Sequence, residues 1–161
     1  MKKNKGEPDP DGLPVPQAWG DAVTADHKIL NEEDASRDGD KLALVVLDRY
    51  TQWLQSYPCK SKSAANCTHC FQRFWGPNFK PQHVYTDNAR EFARSLKDMG
   101  VSHDTCTPHK SQTNAVAERA VLRVKEGTAA ALVQSGLTEA WWSHAMMCYC
   151  FLKNIVDTML L

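Results

Sequence analysis

Three acids in the chain are of the type and placement that metal-assisted phosphate chemistry needs. Asp87 follows a short run of β-formers in Tyr85-Thr86-Asp87-Asn88, Asp26 stands in Val23-Thr24-Ala25-Asp26-His27, and Glu118 falls early in a long helical pattern. A hard cation such as Mg²⁺ takes oxygen ligands, so a protein must bring several carboxylates to one point from different elements. Two such ions about 3.5–4 Å apart stabilise the attacking and leaving oxygens of a phosphodiester displacement together. Asp87 is expected at the carboxyl end of a strand, where ligands collect in open α/β sheets. The nearby helix N-terminus favours the ionised form of Glu118. Lys125 lies seven residues on, only about 20° further round an α-helix, as a cation able to reach a phosphate. Each residue also has an ordinary role: an Asp after a strand caps a turn, a Glu early in a helix is a favourable charge, and Lys125 suits a solvated face. Asp21 competes with Asp26 for the first position, and Asp26 has the better strand context.

Positioning these acids requires a sheet. Leu42 to Leu47 (LALVVL) is a continuous apolar run, the pattern of a strand buried on both faces. Trp19 to His27 and Tyr50 to Tyr57 read as strands beside it, the second antiparallel to it. Ser61 to Trp75 reads as a helix with its apolar stripe at Ala64, Cys67, Cys70, Phe71 and Phe74, stopped by Gly76 and Pro77. A strand–helix rhythm follows: strand His83 to Thr86, helix Asn88 to Met99, strand Val101 to Cys106. After a turn over Thr107 to Thr113 come a long helix, about Asn114 to Gln134, and a very apolar one, Glu139 to Val156. The long helix should bury Ala117, Ala120, Val121, Val124, Thr128 and Ala131. The order β-β-β-α-β-α-β-α-α predicts an α/β fold, a mixed five-stranded sheet flanked by helices.

Composition narrows the class. With 161 residues the chain fits one domain able to bury a core unaided. Residues 1 to 17 carry four prolines and many charges and read as a flexible leader, leaving 18 to 161 as the domain; a second polar stretch, Asn31 to Lys41, reads as a loop. The longest apolar run, Ala145 to Leu152, is far too short for a bilayer span, and the N-terminus lacks the apolar core of a signal peptide. An intracellular setting with six reduced cysteines follows. The formal net charge is zero, but residues 1 to 40 hold five bases and ten acids, leaving a mildly basic body. That body tolerates a polyanion without demanding one.

The words around the acids are more specific. Thr86-Asp87-Asn88-Ala89-Arg90-Glu91-Phe92 resembles the T/S-D-N-G-x-E-F block of retroviral and retrotransposon integrases. Gly100-Val101-Ser102-His103 is similar to the family's G-I-x-H, and the stretch Thr107 to Arg119 (TPHKSQTNAVAER) to S-x-P-x-x-P-Q-x-N-G-V-A-E-R. Asp48 to Trp53 (DRYTQW) resembles the D-x-x-S-R-W turn between the second and third strands. Trp141-Trp142-Ser143-His144-Ala145 with Tyr149 and Phe151 to Asn154 is similar to the F-W-x-E-A…Y-L-x-N-R helix of copia-type elements. The likeness runs in order from about Trp19 to Val156.

The resemblance implies an RNase H-like fold and a Mg²⁺- or Mn²⁺-dependent integrase using two ions held by Asp26, Asp87 and Glu118. It implies trimming of element 3′ ends and their joining to target DNA, with Lys125, Asn88, Gln112 and Arg119 at the DNA or supporting the loop over the site. DNA and further copies of the chain are the expected partners, no membrane is involved, and a nucleus is the expected setting. Such a core is normally one piece of a longer polyprotein, and the final helix reads as cut short. This sequence departs from the family in places. Thirty residues separate Asp87 from Glu118, fewer than is usual, with the shortening between Phe92 and Gly100. Ala89 and Ala115 replace family glycines, and Ser111 a family proline. An alternative class is therefore a decayed or domesticated core that binds nucleic acid without catalysis. Cys67-x-x-Cys70 with His103-x-x-Cys106 has zinc-like spacing, but Cys67 and Cys70 fall on a core stripe, and Cys148, Cys150 and the five Trp read as packing residues.

Overall fold

The computed structural model describes residues 15–29, 35–105 and 112–159. Side chains at 29, 112–114 and 158–159 lie outside the description, as do most of the expected leader, the turn at 107–111 and Cys106. The elements are β1 (Val23–Ile29), β2 (Leu42–Asp48), β3 (Leu54–Cys59), α1 (Ala64–Trp75), β4 (Val84–Thr86), α2 (Arg90–Met99), β5 (His103–Thr105), α3 (Gln112–Ser135), a short 3₁₀ turn (Glu139–Trp141) and α4 (Trp142–Met159). The sheet order is β3-β2-β1-β4-β5. β1–β2 and β2–β3 are antiparallel, whereas β1–β4 and β4–β5 are parallel. The mixed five-stranded sheet is the one expected.

β2 explains the layering. All seven of its residues are buried, and the two-residue pleat divides them between faces. Leu42, Leu44 and Val46 join Phe71, Phe74 and Phe92 under α1 and α2. Ala43, Val45 and Leu47 join Ala120, Val124, Trp142 and Met146 under α3 and α4. The expected α3 stripe is the buried one, with Val121 and Ala131 half-buried at its edges. Among the described residues no helix is long and apolar enough to cross a membrane.

Several boundaries move, each for a local reason. β1 starts at Val23 rather than Trp19 because 18–22 form a turn, with Gly20 at φ +79° and the Asp21 carboxylate accepting the backbone N–H groups of Gln17 and Ala18 at 2.7 and 2.8 Å. β3 starts at Leu54 rather than Tyr50. The buried Asp48 carboxylate accepts both the backbone N–H and the hydroxyl of Thr51 at 2.7 Å, and Gln52 turns the chain at φ +62°. β3 then runs through Pro58 to Cys59, which its place at the sheet edge allows. α2 starts at Arg90 rather than Asn88, after Asp87 accepts the Ala89 N–H at 3.1 Å.

The last helix is less buried than its composition suggests. Among its described side chains only Trp142, Ser143, Ala145, Met146, Cys150 and Asn154 are buried. Cys148, read from sequence as a core thiol, is exposed, as are Met147, Phe151, Leu152, Ile155 and Val156. A helix has one inward face, and α4 carries more apolar residues than that face holds. Trp53, at the β2–β3 turn, is likewise 38% exposed rather than in the core.

α3 and α4 meet closely at Gly127, where an added Cβ would run into the Tyr149 ring. Ala in place of Gly ordinarily stabilises a helix interior by about 1 kcal/mol, but forcing a methyl into packed space costs about 1–3 kcal/mol. Gly127→Ala should therefore lower Tm, and in a Tyr149→Ala background the same change should raise it. Thermal denaturation of the four chains of this cycle checks both signs.

Candidate active site

The pleat and the register bring two of the acids together. Val23 and Ala25 lie in the core under α1 and α2, so Thr24 and Asp26 point to the α3 face. β4 runs parallel to β1 with Val23 opposite Val84 and Thr24 opposite Tyr85. Carried two residues further, that register sets Asp26 opposite Asp87, just past the end of β4 and on the same face. Glu118 comes from α3, which covers this face. It is exposed and follows the buried Ala117.

The electrostatics agree with that arrangement. The Asp26 carboxyl is pushed up from 3.8 to about 6, by burial first and then by the negative charges of Asp87 and Glu118. Lys62, in the loop before α1, pulls it the other way. Asp21 is elsewhere, in the turn before β1, where it also accepts a hydrogen bond from the Gln82 side chain at 2.8 Å.

A short chain of hydrogen bonds sets Asp87. The Thr86 hydroxyl donates to the Asp87 carbonyl at 2.6 Å, and His103 Nε2 lies 2.8 Å from the same hydroxyl. Because the hydroxyl proton is committed to the carbonyl, His103 donates from Nε2. Burial holds the His103 pKa below its ordinary value, consistent with a neutral ring. β5 thus braces the end of β4. His27 points to the opposite face, stacked on Phe92 with ring centroids 4.5 Å apart, and burial lowers its pKa to about 4.

Asn88, Arg119 and Lys125 are all exposed, Asn88 next to Asp87 and Lys125 two turns along α3 from Glu118. The Gln112 side chain lies outside the described residues. Sequence reasoning passed over Lys62 and the Thr86–His103 pair. The family-like G-x-x-H word containing His103 was a signal for the latter; nothing local marked Lys62. Among the described residues Cys67, Cys70 and His103 are not drawn together: Cys70 Sγ is 3.6 Å from Cys59 Sγ, Cys67 Sγ is 3.8 Å from His27 Nε2, and His103 Nε2 is 2.8 Å from the Thr86 hydroxyl, while Cys106 lies outside the described residues.

As a donor set, two aspartates and a glutamate suit a hard divalent cation, and the mutual repulsion felt at Asp26 is what such a cation relieves. Among the described residues, no three His, Cys, Asp or Glu side chains are drawn together tightly enough to hold an ion as they stand. The carboxylates are close enough to sense one another and are not gathered into a closed cluster.

A mixed sheet in this order, with acids on one face under a long helix, is an RNase H-like fold of the integrase-core kind. The chain belongs to the integrase core domain family, whose model matches residues 28–111. That match includes Asp87 and Asn88 and stops short of Asp26 and Glu118. The chain is similar to the retrovirus-related Pol polyproteins from transposons RE1 and RE2 of Arabidopsis thaliana, at 26% and 27% identity over 78% of its length. It spans 9% of the length of each polyprotein. Its fold is similar to the crystal structure of the catalytic core domain of BIV integrase, with a TM-score of 0.57 over 81% of each chain at 16% identity.

The raised pKa of Asp26 has a signed consequence. Ionising Asp26 is harder in the folded chain than in the unfolded one, so it costs stability above about pH 6, and the cost fades as pH falls toward 3.8. Asp26→Asn should raise Tm by on the order of 2–4 °C at pH 8, with the gain vanishing near pH 4. Thermal melts across that range check it; a gain independent of pH would contradict it.

Proposed function

We propose that this chain is the catalytic core of a metal-dependent polynucleotidyl transferase that trims DNA 3′ ends and joins them to target DNA. The observation that carries the reading is the register that sets Asp26 opposite Asp87 on the face covered by α3. Asp26, Asp87 and Glu118 would hold two Mg²⁺ or Mn²⁺ ions, with Asp26 rather than Asp21 as the first acid. When bound, the ions supply Lewis-acid stabilisation of the attacking and leaving oxygens.

The chain's own residues orient and charge the site. Asp87 is braced through Thr86 and His103, Glu118 is carried by α3, and Lys62 and Lys125 supply cations for backbone phosphates, with Asn88 beside them. Gln112 and Arg119 are further DNA contacts in this reading. In trimming, a water oxygen bonds to phosphorus, the P–O3′ bond breaks and the element strand keeps a free 3′-hydroxyl. In joining, that hydroxyl attacks a target phosphodiester and displaces the target's own 3′-hydroxyl. A nucleus is the setting this substrate implies. Self-association belongs to the same reading, supported by the exposed apolar residues of α4.

Mg²⁺ or Mn²⁺ should raise Tm at pH 7.5, above the Asp26 pKa of about 6. At about 100 times Kd the gain is about 2.7 kcal/mol, a rise on the order of 5–10 °C. Asp87→Asn should abolish that rise and reduce strand transfer on element-end oligonucleotides to background while DNA binding persists. Sustained inactivity of the unmodified chain with Mn²⁺, at high concentration and with DNA bound, would replace the reading with a nucleic-acid-binding module.

A further inference from the structure

On the other flank of α3 from Glu118 lies a hollow of about 170 Å³ between the helix and the β2–β3 turn. Its polar lining is Arg49, Gln52, Arg119 and Arg123, over an apolar floor that includes Leu54 and Ala120. We infer that this hollow is a phosphate-binding subsite that takes one backbone phosphodiester of DNA.

Charge and geometry select the ligand. Three arginines and a glutamine line the space, and no acid stands among its described lining residues. Guanidinium groups favour phosphate because their planar fork offers paired N–H donors. Sites for whole small molecules enclose about 300–1,000 Å³, whereas a water occupies about 30 Å³ of liquid. A hollow of about 170 Å³ therefore suits a single hydrated phosphate group better than a nucleotide.

The back of the hollow is built rather than incidental. Arg49 is only 7% exposed, its N–H donates to the Ala22 carbonyl at 2.9 Å, and its carbonyl accepts from the Gln52 side chain at 2.9 Å. Asp48 closes the turn around it through Thr51 and also accepts the Gly20 N–H at 2.9 Å. Lys153 Nζ donates to the Gln52 carbonyl at 3.1 Å, tying the turn to α4. Arg49 and Arg119 are each held by further interactions. At the mouth, Arg119 and Arg123 are exposed one helical turn apart.

An open, basic mouth with a buried cation behind it fits one phosphate of an extended polyanion. Arg123 lies about 140° round α3 from Glu118, on a helix about 10–12 Å thick, so one duplex lying across α3 could reach both flanks. The identification of the polyanion as DNA rests on the function proposed above.

The test is anisotropy of a short labelled DNA duplex titrated with the whole chain, at about 50 to 200 mM salt. The variants are Arg119→Ala/Arg123→Ala and, as a control on a distant helix, Arg94→Ala. Arg119 and Arg123 are at the surface, so the fold should survive, and Tm verifies it. The double variant should bind at least about tenfold more weakly and lower the slope of log K against log salt by about one. Arg94→Ala should leave both unchanged.

Inorganic phosphate alone, followed by the arginine Nε–H signals in NMR, separates the sources. Phosphate shifting the Arg119 and Arg123 signals only weakly, and displaced by the duplex, supports a DNA subsite. Tight phosphate binding that the duplex does not displace overturns it in favour of a free anion. Unchanged affinity and slope in the double variant also overturn it. Loss of transfer in Asp87→Asn with unaltered binding by the arginine variants would sink the subsite alone. Arginine-dependent binding by a chain without transfer activity would sink the catalytic reading alone.

Discussion

Two carboxylates, Asp26 on β1 and Asp87 just past the end of the parallel β4, stand on the same face and repel each other, and a third on the covering helix adds to the repulsion. Burial of Asp26 is the larger cost, because low-dielectric surroundings weaken the solvation of its charge, and the repulsion adds to it. The rise of the Asp26 pKa to about 6 is the visible result. The remainder of the fold can be understood as a frame rigid enough to tolerate that crowding. Asp26 pairs with Val45 of β2, and β1 is paired to β4 just before it, at Val23 and Thr24, which fixes its place in the sheet.

The frame draws its rigidity from two apolar layers and from polar side chains that tie its turns and helices together. β2 supplies alternate residues to both layers and is buried throughout. At one sheet end, Asp48 ties the β2–β3 turn to Gly20, and at the other side β5 braces Asp87 through Thr86 and His103. Asn154 of α4 donates to the Leu54 carbonyl at 2.8 Å and accepts the Leu54 N–H at 3.0 Å, pairing a helix side chain with backbone groups of β3. α3 then carries Glu118 on one flank and the arginine-lined hollow on the other.

Much of this was legible in the sequence where local pattern and tertiary burial coincide. The run LALVVL had to be a strand buried on both faces, and the Ala117-Ala120-Val124-Thr128 stripe had to be the inner face of a helix. The sheet of five strands and the order of its elements followed. The strand starts at Trp19 and Tyr50 did not hold, because Asp21 and Asp48 hold turns there through side-chain hydrogen bonds that a β-propensity pattern does not register. The α4 thiol Cys148 was misplaced because apolar composition does not say which side of a helix is covered. Strand context in the sequence already favoured Asp26 over Asp21, but its alignment with Asp87 is not legible there, since register is a property of two strands. Arg49 and Arg123 are 74 positions apart, and nothing in either neighbourhood announces the other.

The central claim is that Asp26, Asp87 and Glu118 act as one divalent-metal site. The most direct measurement is a crystal structure of the chain grown with Mn²⁺ above pH 7, with data collected at the manganese absorption edge. An anomalous peak ligated by Asp26 and Asp87, with Glu118 completing a second position when DNA ends are present, is the predicted result. Manganese bound only at other residues, with the three carboxylates unligated, would contradict it.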